Sequence, residues 1–166
     1  STNSETSMVR NGNHIVVGYN SSAGATVEFF PGAGLFFTQL FFSAFSTSHD
    51  GGLTWTSGFL PPASPDSPFT FGDPSVAIDR PGNMYVAWTD QSRYGVRVAR
   101  SVDGGRHFAP EVDAAAFSII PIPHCGIGIV VAAEPRSCIQ ANPTVAVDTS
   151  RGRFAGSAGT RISSRP

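Results

Sequence analysis

The chain has 166 residues, 40% hydrophobic and only 14% charged, with a formal net charge of -1. That balance excludes a charge-rich disordered chain and leaves no basic footprint for nucleic acid. No apolar run approaches the roughly 20 residues of a membrane-spanning helix, whereas 18 Gly, 13 Pro and 13 Phe set among short Val, Ile and Thr runs favour many short strands joined by turns.

In chain order, the first pattern is Glu5 to Asn11, a turn at Gly12-Asn13, and an apolar run from His14 to Tyr19. It reads as a strand, a turn and a second strand. A long insertion is expected around 21–37, in a region crowded with Phe29, Phe30, Phe36, Phe37, Phe41, Phe42 and Phe45. Core and inter-sheet packing is the expected role of these rings, and an exposed platform for stacking on sugars is the alternative.

Next comes Ser48-His49-Asp50-Gly51-Gly52-Leu53-Thr54-Trp55, whose plan returns as Ser101-Val102-Asp103-Gly104-Gly105-Arg106-His107-Phe108. The spacing predicts a tight hairpin turn, with the aspartate accepting from its own backbone N–H groups and the glycines taking positive φ. Trp55 and Phe108 are expected to open the following strand and point inward.

After a proline-rich link over 61–68, Asp73 to Asp79 and Gly82 to Trp88 repeat the opening pattern, and Asn142 to Asp148 repeats it again 69 positions after Asp73. Strands are predicted over 75–78, 84–89 and 96–100, with a fourth beginning at His107. The third copy starts well, but Phe154-Ala155-Gly156-Ser157 stands where Tyr85-Val86-Ala87-Trp88 would be expected, and the sequence turns rich in Gly, Ser, Ala and Arg. All basic residues are arginine, which reads as codon bias from a GC-rich genome. The chain opens at Ser1 without Met or a signal-peptide pattern, as a processed or excised piece would.

The turn at 48–55 fits every position of the Asp-box, S-x-D-x-G-x-T-W, and the turn at 101–108 keeps Ser101, Asp103 and Gly105 with His107 for Thr and Phe108 for Trp. In this the chain resembles the sialidase-like β-propellers with bacterial neuraminidase repeats. The resemblance implies an all-β propeller of four-stranded antiparallel blades, six in the parent. Blade one would span about 5–61, blade two about 73–113, and an incomplete blade three about 142–166. Ser48, Asp50, Gly52, Thr54, Trp55, Ser101, Asp103, Gly105 and Phe108 are then structural, because the family's active site lies at the opposite end of the blades.

That opposite end would gather Asp73 and Asp90 as catalytic candidates, with Arg93, Tyr94, Asn142 and Glu5 as substrate-binding candidates. The family uses an arginine cluster on a substrate carboxylate, a Tyr–Glu nucleophile pair and an acid/base Asp. Arg10 is followed by Asn11-Gly12 and not by Ile-Pro, and no residue matches the nucleophile. A structural alternative has Asp73 bonded to neighbouring backbone N–H groups, as Asn142 could be at the equivalent place, and Asp90 paired with Arg93 in an exposed loop.

The function implied is an exo-acting glycoside hydrolase on terminal sugars, with this chain alone inactive; the alternative is a non-catalytic propeller binding glycans or proteins at a cell surface. Carbohydrate or glycoconjugate is the expected partner, with no nucleic acid, no membrane span, no cofactor and no metal, and with self-association through open strand edges. Bacterial secretion or surface display is implied. In that setting Cys125 and Cys138 form a disulfide; two unrelated thiols are the other reading.

Overall fold

The computed structural model describes residues 3–60, 69–70, 72–90, 95–116 and 141–164. Every regular element among them is a β-strand. Four strands, β1 Asn3–Asn11, β2 His14–Phe30, β3 Gly34–Ser48 and β4 Thr56–Phe59, follow one another in an antiparallel meander, and the short β5 Phe69–Thr70 adds to β3 in parallel. A second meander runs β6 Ser75–Ile78, β7 Met84–Asp90, β8 Gly95–Ser101 and β9 Val112–Ala116. The hairpin of β10 Ala141–Val147 and β11 Ala158–Ser164 completes the described chain.

β6 and β7 are buried along their whole lengths. The cause is sandwiching: β1 and β2 pack on one side of β6, and β10 packs against β6 and β7 on the other. A strand covered on both faces needs a continuous apolar run and not alternation, which is what Val76-Ala77-Ile78 and Met84-Tyr85-Val86-Ala87-Trp88 supply. One cluster, with Val16, Phe45, Leu60, Val76, Met84, Val86 and Trp88, joins the first meander to the second. Another, with Ala77, Tyr85, Ala87, Val96 and Val145, joins the second to β10.

Three expectations give way here. The fourth strand of the second meander begins at Val112 and not at His107. The Asp103 carboxylate holds the His107 N–H at 3.0 Å, and Ala109 N–H donates to Arg100 O at 2.8 Å, so the chain spends several more residues leaving the turn. Phe108, in that exit, packs edge-on against Phe45 with centroids 4.9 Å apart.

The insertion over 21–37 is a paired ribbon, and the packing expected of its described rings is what gives way. It continues β2 and β3 as one ribbon, paired as far as Phe30↔Gly34 around a turn at 31–33. Phe29, Phe30 and Phe36 lie exposed on it, so the packing role expected of them fails; Phe45 alone of the rings whose side chains are described is buried in the core. The physical reason is that β1 pairs with β2 only as far as Ser21, and no described sheet covers the ribbon beyond that point. The side chains of Phe37, Phe41 and Phe42 lie outside the described residues.

The third repeat does form its second strand, but at Ala158–Ser164 and not over 154–157. The intervening residues build a wide turn on Asp148, whose backbone carbonyl accepts from Gly156 N–H at 2.8 Å and whose carboxylate accepts from Ser150 N–H at 2.8 Å.

Candidate functional site

Antiparallel meanders sort their connections to two ends. One end carries the β1–β2 and β6–β7 turns and both Ser-Asp-Gly turns; the other carries the start of β6, the end of β7, the start of β10 and the base of the ribbon.

At the first end the two turns are congruent. Ser48 Oγ donates to Asp50 Oδ1 at 2.8 Å and accepts from Gly52 N–H at 2.8 Å; Ser101, Asp103 and Gly105 reproduce both distances. Asp50 also accepts from Thr54 N–H at 2.9 Å and from the Thr54 hydroxyl at 2.5 Å, where Asp103 meets His107 N–H and its Nδ1. His49 bridges the turns, its Nε2 donating to Gly104 O at 2.9 Å while its Nδ1 meets His14 Nδ1 at 2.9 Å. Trp55 does not point inward: its indole N–H folds back onto Gly52 O at 2.9 Å, leaving the ring 46% exposed.

The hydrogen bonds from the Thr54 side chain and backbone, and then from Ser48, hold the Asp50 carboxyl well below its ordinary value of 3.8. The backbone and ring of His107, then Ser101, do the same for Asp103. A carboxyl whose folded value is depressed stabilises the fold above its unfolded value, and loses that contribution as pH falls through the folded one. The thermal midpoint is therefore expected to decline as pH drops below about 4, and to decline less in Asp50→Asn or Asp103→Asn, as a series of calorimetric scans from about pH 6 to about pH 2 would measure. A midpoint independent of pH there would mean that the turns are not held by ionised carboxylates.

The other end is built around Asp73. Its N–H donates to Asn20 Oδ1 at 2.7 Å and its Oδ1 accepts from Asn20 Nδ2 at 3.2 Å, so one amide from the base of the ribbon clamps the residue from two sides. Asp73 has a φ of 52°, a left-handed conformation unusual for a residue with a side chain. Gly72 beside it has a φ of 92°, its N–H donates to Ser43 Oγ at 3.1 Å, and its carbonyl accepts from Thr89 N–H at 3.4 Å. A Cβ at Gly72 would stand 2.5 Å from Asn20 Oδ1. Gly72→Ala is expected to lower stability by about 1–3 kcal/mol, from strain and the displaced Asn20 amide. A urea midpoint unchanged from the parent chain would count against this corner being rigid.

Asp90, at the end of β7, is buried and accepts from Arg97 Nε at 3.3 Å; Arg97, itself buried, also reaches the Asp113 carboxylate. Asp90 thus has a buried partner in Arg97, and the expected pair with Arg93 falls outside the described residues. The register explains it: Trp88 is opposite Arg97 and Asp90 opposite Gly95, so Asp90 and Arg97 are diagonal neighbours on one face. Arg93, Tyr94, Cys125, Cys138 and the link over 61–68 lie outside the described residues. Glu5 and Asn142 are placed by backbone alone, at the same end in β1 and β10.

Asn20, Ser43 and Arg97 were not singled out from sequence. Arg97 could have been found by pairing the two strands around 91–94, whereas Asn20 and Ser43 meet Gly72 and Asp73 only in three dimensions. A separate, largely apolar cavity of about 510 Å³ lies between β8, β9 and β11, lined among others by Tyr85, Val98, Arg100, Pro110 and Thr160. Among the described residues no cluster of His, Cys, Asp and Glu could hold a metal ion, and no helix is long and apolar enough to cross a membrane. No family model, no curated protein and no solved structure matches the chain.

Proposed function

We propose that the two meanders and the β10–β11 hairpin are successive blades of a sialidase-like β-propeller, and that the end bearing Asp73 meets terminal sugars of a glycoconjugate. The observation that supports this most is the congruence of the two Ser-Asp-Gly turns, which repeat the same bonds 53 positions apart at the same place in successive meanders. In this reading those turns are structural and the parent is an exo-acting glycoside hydrolase. Asp73 is its acid, held by Asn20 in a conformation worth its strain only if the carboxylate must face one way. Glu5, Arg93, Tyr94 and Asn142 are assigned to the same end, and Asp90 with Arg97 braces it. No described residue fills the nucleophile role, so the chain by itself is expected to be inactive.

One observation favours a second reading, a non-catalytic glycan-binding propeller. Arg97, the arginine described at this end, lies between Asp90 and Asp113, so its guanidinium is already committed to two carboxylates. Assay of a fluorogenic sialoside with the chain, alone and within any longer protein that carries it, separates the two. Turnover that falls at least 100-fold in Asp73→Asn supports the hydrolase. Binding on a glycan array without turnover supports the second reading, and neither binding nor turnover removes both.

A further inference from the structure

We propose that the β10 face carrying Thr144 docks the β1 face carrying Met8 of a second copy of this chain. The basis is a seam that the fold builds twice. Ser7 Oγ on β1 accepts from Val76 N–H on β6 at 3.3 Å, and Ser75 Oγ on β6 accepts from Val145 N–H on β10 at 3.0 Å. The donors are 69 positions apart, and in each strand the hydroxyl residue immediately precedes the donor: Ser7-Met8, Ser75-Val76, Thr144-Val145. Each strand therefore offers an N–H to the strand before it and a hydroxyl to the strand after it.

Two halves of this seam are open within one chain. Val76 and Val145, whose N–H groups are taken, are 6% and 5% exposed, whereas Met8 at the same position of β1 is 69% exposed. Ser75 is buried under β10, whereas Thr144 is exposed. The backbone of β1 is set correctly for the contact. Asn11↔His14 closes a two-residue turn, and counting back along alternating pairs puts the Met8 N–H on the side away from β2. The Val76 N–H has the same orientation relative to β7, counting from the Asp79–Asn83 closure.

A second copy is the occupant that presents the missing half of each seam. Its β1 carries the N–H and apolar side chain that Thr144 lacks, and its β10 carries the hydroxyl that Met8 lacks. A net charge of -1 per chain leaves little repulsion between copies. The contact is head-to-tail, so it closes into a ring where the rotation allows. Closure by two copies rests on the six-bladed reading above, with three units in each chain; the seam itself does not.

Light scattering after size exclusion of the 166-residue chain is expected to give about 35 kDa, twice the 17.4 kDa of one chain. Thr144→Arg and Met8→Arg should each weaken association at least tenfold with the circular dichroism spectrum retained. Because either arginine could unfold the chain instead, a second measurement is paired with it. Copies bearing Met8→Cys are mixed with copies bearing Thr144→Cys, both in a Cys125→Ser, Cys138→Ser background, and a disulfide between copies is expected on mild oxidation. A monomer at about 100 μM would overturn the proposal and leave the seam to further repeats of a longer polypeptide. Association that survives both arginine variants, or a dimer that never cross-links between positions 8 and 144, would overturn it as well. A head-to-tail oligomer with more than two copies would keep the seam and remove the six-bladed count.

Discussion

Trp88→Ala is expected to destabilise the chain by about 3–5 kcal/mol, the range for removing a large ring from a well-packed core. Trp88 is fully buried and shares its cluster with Val16 and Phe45 from the first meander and Val76, Met84 and Val86 from the second. The indole is therefore part of the joint between two sheets and not only of one sheet's own packing. Since small domains hold only about 5–15 kcal/mol in total, a loss of this size should leave much of the population unfolded near physiological temperature. Trp55→Ala supplies the contrast. Its half-exposed ring closes a local turn, so its loss should stay within about 1 kcal/mol. Urea unfolding of both variants tests the pair, and a loss under about 1 kcal/mol for Trp88→Ala would mean that the two meanders do not depend on one another.

These two tryptophans also show where sequence reading reaches its limit. Trp55 closes a turn signature and was expected to point inward, yet it is Trp88 that sits in a run, Met84 to Trp88, apolar enough to be covered on both faces. The second meander's first three strands were legible almost to the residue because each apolar run is bounded by Gly, Pro or Asp. The ribbon was not. Its phenylalanines carry the same hydrophobic signal as a core, and what leaves Phe29, Phe30 and Phe36 exposed is the end of the β1 pairing at Ser21, which no local pattern announces. At the candidate site, Asp73 was legible as a residue just before a strand, β6. Its left-handed backbone and the Asn20 clamp depend on a contact 53 residues away in sequence. The delay of β9 to Val112 follows from the Asp103–His107 bond, which the turn signature implied without showing how far the chain must run to escape it.

Asp90→Ala is the second large effect expected, at about 3–5 kcal/mol, because it takes a carboxylate from a buried guanidinium. Asp113, the other acid on Arg97, has a side chain 75% exposed, so it is solvated with or without the arginine and Asp113→Ala should cost no more than about 1 kcal/mol. The asymmetry is the test. If Arg97 were held mainly from the surface, the two alanine variants would be equally mild. Replacing the buried pair together, as Asp90→Leu with Arg97→Met, should recover most of the loss, because an apolar pair of similar volume leaves no charge stranded. Urea unfolding of the single and double variants measures this as a coupling energy. The same variants bear on function, since Asp90 ends β7 and is followed in sequence by Arg93 and Tyr94. If the end bearing Asp73 binds glycans as proposed, then where the folded fraction is matched a bracing role predicts that the Leu/Met double variant restores that binding along with stability. Binding that stays lost in the stable double variant would instead place the Asp90 carboxylate or the Arg97 guanidinium in contact with the sugar.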